Sequence, residues 1–215
     1  MSRCAAFAFV VTMCVGLGSL VAAPAQAQLS RGNLRLSVDA DMFSVAGVHV
    51  DGQPHGTVVG LGPNELGGGR YYSGPTPVGL GVGYVLQPKL ILGLRAGLGY
   101  DVVAPSGAPN NTRILGLSLM PGVTFVPFGE RAKLFISFAP IFQVGRAKTL
   151  NTRDRTMLGG FGLGVGTFIF VTNALSVDLG FNFEGRFGGA ETNGMNHRDI
   201  TDLRGLIRLG VSLWT

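Results

Sequence analysis

The feature that most constrains this chain is a two-residue alternation of apolar with polar or small side chains, which recurs in eight runs. In the clearest run, Leu175, Val177 and Leu179 alternate with Ser176 and Asp178. Hydrophobic residues make up 46% of the chain, yet beyond residue 27 none of the apolar stretches reaches the roughly 20 residues of a spanning helix. Because only helices and closed barrels satisfy their backbone groups in lipid, the alternation predicts an all-β fold.

The spacing of the runs predicts how they connect. The runs cover residues 34–42, 78–86, 90–101, 115–125, 134–144, 160–169, 175–184 and 203–213. Short links at 87–89, 127–131 and 171–173 alternate with longer polar or glycine-rich links at 44–76, 103–113, 145–156 and 188–200. Short periplasmic turns alternating with longer external loops are typical of bacterial membrane barrels. We therefore predict a transmembrane antiparallel up-and-down β-barrel of eight strands, with both chain ends on the periplasmic side.

Residues 1–27 are predicted to be a cleaved secretory signal peptide, which leaves residues 28–215 as the barrel. Arg3 supplies the positive start, residues 4–21 are mostly apolar, and residues 25–27 give the small-x-small cleavage pattern. Glycine, serine and proline within the segment disfavour a retained helix. A lipid anchor at Cys14 is disfavoured by the large residue before it. Both cysteines, Cys4 and Cys14, lie in this segment, so the predicted mature chain has no disulfide and no thiol chemistry.

A soluble eight-stranded barrel is the main structural alternative, and it would turn the apolar side chains inward. Many glycines share the non-apolar face, and glycine cannot make an outer surface soluble. Aromatic residues also gather near the run ends, as in the interfacial girdles of membrane barrels. They are Tyr84, Tyr100, Phe125, Phe142, Phe161 and Phe187. Both features favour the membrane barrel.

The last run sets Ile207, Leu209, Val211 and Leu213 at alternate positions. With this pattern the chain resembles the small outer-membrane barrel superfamily typified by OmpA, OmpX and OmpW, and the resemblance covers residues 28–215. It implies an outer-membrane location reached through the periplasm, with insertion by the barrel-assembly machinery. Members usually end in an aromatic residue, and here Trp214 stands one position out of phase.

Charged residues at the polar positions of the alternating runs, which would face the inside of the barrel, predict a network there. Eight strands enclose just enough space for side chains to fill, and an unpaired buried charge would cost several kcal/mol. We therefore predict Arg–carboxylate pairs, with room left by the glycines of the second and sixth runs. Asp41 and Arg204 are expected near the outer end, and Asp39 and Arg208 near the middle. The predicted network contains Arg35, Asp39, Asp41, Arg95, Asp178, Glu184, Arg186, Arg204 and Arg208. The alternative is a wet interior with solvated charges.

The link at 145–156 is basic, with a single acid, Asp154. Its cations are Arg146, Lys148, Arg153 and Arg155. At a cell surface the nearest anions are lipopolysaccharide phosphates, which Arg and Lys bind well, so we predict contact with lipopolysaccharide. The alternative is a solvated loop. The first loop, about 44–73, is the longest and is the expected seat of any recognition function.

Catalytic, metal and nucleic-acid signals are weak. The histidines His49, His55 and His197 all fall in predicted loops. His197, Asp199 and Ser73 are a candidate triad, but a triad is recognised by geometry, which spacing alone does not test, and a loop histidine is more often simply solvated. His49 with His55 lacks a third metal ligand at a suitable spacing. The glycines of 160–166 have strand periodicity rather than that of a phosphate loop. We expect no enzyme activity, cofactor, metal or nucleic-acid partner.

Three functions remain from different classes. The leading one is an integral outer-membrane barrel with a structural or surface-interaction role and a filled lumen, in contact with membrane lipid and lipopolysaccharide. The second is a narrow porin-like pore for ions or small solutes. The third is an outer-membrane lipid-modifying enzyme. A shared barrel fold does not choose among them.

Overall fold

The computed structural model describes residues 29–51, 56–61, 78–103, 112–129, 132–148 and 152–215. The predicted signal peptide, residues 1–27, lies outside them. The described residues form nine strands: β1 (Leu34–Val50), β2 (Gly56–Leu61), β3 (Val78–Gln87), β4 (Leu90–Val103), β5 (Thr112–Phe125), β6 (Ala132–Lys148), β7 (Arg153–Phe170), β8 (Leu175–Thr192) and β9 (Met195–Trp214).

The strands close into a ring with eight positions. From β3 to β9, each strand pairs antiparallel with the next, and β9 pairs with β1 to complete the ring. On the other edge of β1, β3 lies opposite Leu34–Ala40 and β2 lies opposite Phe43–Val48. β2 and β3 therefore share one position of the ring, and the predicted eight-stranded antiparallel barrel is confirmed.

The outer and inner faces of the barrel wall carry different kinds of side chain. On the outside, Leu36, Leu80 and Phe181 expose 55%, 63% and 54% of their surface. On the inside, Glu184 and Arg186 are buried. A soluble barrel has the opposite arrangement, so that alternative is wrong, and the apolar outer face matches lipid. Within the described residues, no helix is long and apolar enough to cross a membrane.

Two of the predicted long links are mostly strand. β6 continues to Lys148 and β7 begins at Arg153, which leaves only 149–152 between them. β8 and β9 are joined by Asn193-Gly194 alone, with φ of 53° and 72°. Positive φ at both positions is the requirement of a type I′ hairpin turn. The predictions of loops at 145–156 and 188–200 are wrong because backbone pairing continues beyond the apolar part of the wall, where outward residues become polar.

The predicted first loop is also partly strand. β1 continues to Val50 and then β2 folds back along it. The register against β9 shifts between Asp41 and Phe43, so Met42 is an extra residue and the alternation changes phase there. A β-bulge of this kind hides the continuing strand from a strict two-residue pattern. Residues 62–77, with Ser73, and residues 104–111 lie outside the described residues.

Candidate functional site

One end of the barrel, here called the turn end, carries the short β3–β4 and β7–β8 turns and is filled by an aromatic plug. The Phe135 and Phe168 rings stack with centroids 4.5 Å apart, and Phe168 meets Trp214 edge-on at 5.4 Å. Trp214 is 5% exposed and its Nε1 donates to Ser176 Oγ at 3.0 Å. The Trp214 side chain therefore faces the lumen, which agrees with its position one residue out of phase with the outward-facing apolar residues of the last strand. The aromatic plug contains Leu29, Val85, Ile91, Val126, Phe135, Phe168, Phe170 and Trp214.

Arg35 joins the aromatic plug to the first layer of charges. Its guanidinium lies 4.7 Å from the Phe168 ring centroid, a cation–π distance. Its Nη2 donates to Asp178 Oδ2 at 2.7 Å, and its Nε donates to Ser212 Oγ at 2.8 Å. The cation is therefore held on its face by an aromatic ring and at its edge by two oxygen acceptors.

Arg208 is the centre of the next layer. Its Nε lies 2.7 Å from Asp41 Oδ1, and its Nη2 lies 3.2 Å from Glu184 Oε1. The same Nε lies 3.5 Å from Asp39 Oδ1. Because Asp39 and Asp41 belong to β1 while Glu184 belongs to β8, this one cation ties together the strands on both sides of β9.

Arg95 reaches the same layer from β4. Its Nη2 and Nε donate to Asp39 Oδ1 at 2.6 and 2.8 Å. β3 lies between these two strands, with Gly79 directly opposite Asp39. A Cβ at Gly79 would overlap the Arg95 guanidinium. The glycines of β3 therefore leave room for a cation to cross, as predicted, whereas Gly166 of β7 accommodates Phe135.

The third layer lies toward the opposite end, here called the rim end. Arg186 donates to Glu184, Arg204 donates to Asp202, and Arg186 Nη1 lies 4.0 Å from Asp202 Oδ2. Sequence reasoning missed Asp202, although it has the same parity as Arg204. Arg204 lies toward the rim end, but the expectation that Asp41 lies near the same end is wrong, because Asp41 stands opposite Arg208 in the middle layer while Arg204 stands opposite Ala46.

The nine predicted lumen residues thus all point inward, and Asp202 makes five arginines and five carboxylates. Between the aromatic plug and Arg208 a cavity of about 150 Å³ remains, lined by Ser37, Asn182 and the charged side chains. Chemically, this arrangement places five arginines and five carboxylates in mutual contact range inside the ring.

The cations predicted to contact lipopolysaccharide lie on strands, on the outside of the wall at the rim end. Arg146 and Lys148 are exposed on β6, and Arg153 and Arg155 are exposed on β7. Arg113, on β5, joins them directly opposite Lys148 and was missed because it ends a predicted loop. We call these five residues the basic face. Within the described residues, none of the ion pairs joins the basic face to a carboxylate.

The acid of this segment is turned away from the basic face. Asp154 lies on the face of β7 opposite to that of Arg153 and Arg155. It is 4% exposed inside the barrel, and its Oδ1 has no hydrogen-bond partner. Sequence reasoning counted it among the charges of one loop. Once the segment is a strand, the alternation separates Asp154 from the four cations around it.

The remaining candidate residues that the structure describes are two histidines, each near a carboxylate. His197 Nε2 lies 3.3 Å from Asp199 Oδ1, but the two side chains are 64% and 74% exposed. His49 lies 3.5 Å from Asp51 on β1, and His55 and Ser73 lie outside the described residues. No cluster of three or more His, Cys, Asp or Glu suited to a metal occurs in the described part of the chain.

Solved structures share this architecture at low sequence identity. The structure of Neisserial surface protein A is 12% identical, with a TM-score of 0.51, and the match covers 85% of this chain and 99% of that one. The outer membrane protein OprG from Pseudomonas aeruginosa is 11% identical at a TM-score of 0.51, covering 89% and 99%. Neither a protein-family model nor a curated protein sequence matches the chain. The chain therefore has the fold of the small eight-stranded outer-membrane β-barrels.

Proposed function

We propose that this protein is an integral outer-membrane barrel with an occluded lumen, which acts through its outer surface in a structural or surface-interaction role. The observation that carries the proposal is the double closure of the interior. The aromatic plug fills the turn end, and the Arg–carboxylate network fills the middle. An eight-stranded ring has little space left once such side chains occupy it.

The wall supports the membrane location. Apolar side chains cover its outside from Leu36 on β1 to Leu213 on β9, and a continuous apolar surface of this size is costly in water. We place the turn end in the periplasm because membrane barrels keep their short turns there. Export through the periplasm and insertion by the barrel-assembly machinery belong to the same proposal.

The lumen network does not support a narrow pore. A conducting path would have to pass Arg208, whose guanidinium is held by carboxylates on two other strands, and then the Phe168 and Trp214 rings. An enzyme is not part of the proposal either, since the His197–Asp199 pair is largely exposed to solvent, at 64% and 74%.

The test is single-channel conductance of the full-length gene product, purified from outer membranes and inserted into planar lipid bilayers. We expect no discrete openings, since the aromatic plug and the network block the lumen. Heat-dependent migration in detergent gels shows that the preparation is folded. Phe168→Ala removes the central ring of the aromatic plug and serves as the matched variant, for which we expect more leakage than for the wild type. Reproducible openings of the folded wild type would overturn the proposal in favour of a pore.

A further inference from the structure

We infer that the basic face binds the phosphate groups of a phosphorylated glycolipid in the outer leaflet, the lipid A part of lipopolysaccharide. This inference rests on the proposed function, because it requires the barrel to sit in the outer membrane with its rim end outward. It deepens that proposal by naming the partner that the outer surface contacts.

The strand register concentrates the cations. Arg113 lies opposite Lys148, and Lys148 lies opposite Arg153. One step nearer the turn end, Arg146 lies opposite Arg155. Side chains directly opposite each other in a sheet have Cβ atoms about 5 Å apart, and like charges in that position destabilise the pairing. The fold therefore holds three like-charged pairs together, an arrangement that a bound polyanion would relieve.

The barrel itself does not neutralise these cations within the described residues. Asp154 is the only acid of the β6–β7 segment 132–170, and it is buried in the lumen at 4% exposure. Glu191 of β8 stands directly opposite Arg155 and offsets part of its charge, although no ion pair within 4.0 Å joins the two in the described structure. The strand pairing places no acid opposite the other four cations. A solvated face of mixed charge would not need a partner, but this face carries one sign of charge over three strands.

The position of the basic face matches the headgroup level of a membrane. On β6, Arg146 follows the lipid-facing Val144 by two residues, and on β7, Arg155 precedes Met157 by two. On β5, Arg113 precedes Leu115 in the same way. At about 3.4 Å per residue, the first cations stand roughly 7 Å beyond the last apolar side chains. The apolar wall and the cations can thus engage the acyl chains and the phosphates of one lipid at the same time.

The chemistry of the side chains favours phosphate. Four of the five cations are arginines, whose guanidinium groups bind phosphate through paired N–H donors. Sulfated or carboxylated sugars in the medium could also approach the rim, but they would not contact the apolar wall below it. The membrane glycolipid is therefore the ligand that fits both the basic face and the apolar wall, and tighter binding of a soluble glycan would contradict this assignment.

The experiment compares two triple variants of the full-length gene product, purified from outer membranes in mild detergent. The outer variant is Arg113→Gln, Lys148→Gln and Arg153→Gln. The control variant is Arg31→Gln, Lys89→Gln and Lys133→Gln, which removes three cations at the turn end. Lipopolysaccharide bound per barrel is measured, together with heat-dependent gel migration to verify folding. We expect the outer variant to lose about tenfold or more of the bound lipopolysaccharide, and the control variant to retain the wild-type amount.

A second arm uses only the wild-type barrel, so the answer does not depend on how the variants fold. Its binding of lipopolysaccharide is compared with binding of enzymatically dephosphorylated lipopolysaccharide and of a soluble heparin-type oligosaccharide. Preference for the phosphorylated lipid, weakened by salt, supports the inference. Equal binding of the dephosphorylated lipid, tighter binding of the soluble glycan, or equal loss in both triple variants would overturn it. A conducting wild-type barrel would refute only the proposed occlusion, so the two failures are distinguishable.

Discussion

Replacing Arg208 with Met tests whether the lumen charges form true pairs. The Arg208 side chain is 15% exposed and its nitrogens lie 2.7, 3.2 and 3.5 Å from oxygens of Asp41, Glu184 and Asp39. In its absence Glu184 keeps Arg186 and Asp39 keeps Arg95. Asp41 loses the one cation with which it forms an ion pair in the described part of the chain. Leaving a buried carboxylate without its partner costs about 3–5 kcal/mol.

The assay is urea unfolding of the barrel in lipid vesicles, followed by the fluorescence of Trp214, the single tryptophan of the chain. With a denaturant dependence of about 2 kcal/mol/M, Arg208→Met should lower the unfolding midpoint by about 2 M urea. Adding Asp41→Asn should recover part of that loss, because it removes the unpaired charge. The exposed Arg31→Met is the control, with an expected change within about 0.5 kcal/mol. A shift for Arg208→Met no larger than that of the control would show that the lumen charges are solvated, and the reasoning would be refuted.

Two further predictions concern the backbone. Gly79→Val should destabilise the barrel by about 1–3 kcal/mol, since its side chain would overlap the Arg95 guanidinium; Gly159→Ala, whose Cβ meets nothing within 4 Å, should be neutral in the same urea titration. Asn193→Val should cost about 1–2 kcal/mol, because a β-branched residue tolerates a φ of 53° poorly, whereas Asn193→Gly should cost less. Equal stability of the two Asn193 variants would contradict the turn assignment.

The apolar part of the wall could be predicted from the sequence because lipid imposes a strict alternation on it. Every predicted lumen residue, from Arg35 to Arg208, lies on the inward-facing side of its strand in the structure. The pairing partners could not be predicted, because alternation gives the face of each residue but not the register of one strand against the next. The bulge at Met42 adds a one-residue shift to the part of β1 beyond it, so Arg204 lies opposite Ala46. Asp41 lies before the bulge and stands opposite Arg208, and Arg204 pairs with Asp202, two residues away on its own strand.

Beyond the apolar part of the wall, the sequence signal weakened for a physical reason. Outward side chains there no longer face lipid, so a charged residue such as Arg146 or Arg155 is accommodated on the strand as well as Leu would be. The apolar alternation therefore stops, while backbone hydrogen bonding between the strands continues. The Asn193-Gly194 dipeptide is a common signal of a two-residue hairpin. The residues on either side of it are polar and lack apolar alternation, so the sequence did not indicate strands there. The five residues of the basic face therefore fall in predicted links, at 103–113 and 145–156, although they sit in fixed register on neighbouring strands.

The equal number of arginines and carboxylates in the lumen network has an electrostatic consequence for the whole particle. Its ten members contribute no net charge, so the formal excess of +5 carried by the chain, or +4 for residues 28–215 without Arg3, resides outside the network. Asp154 is the one further acid that the described part of the lumen holds, so the net positive charge belongs to the surface. The field of this charge raises the local concentration of anions and speeds their encounter with the protein, and it fades as ionic strength rises. The net charge of the barrel therefore favours the approach of anions to its exterior.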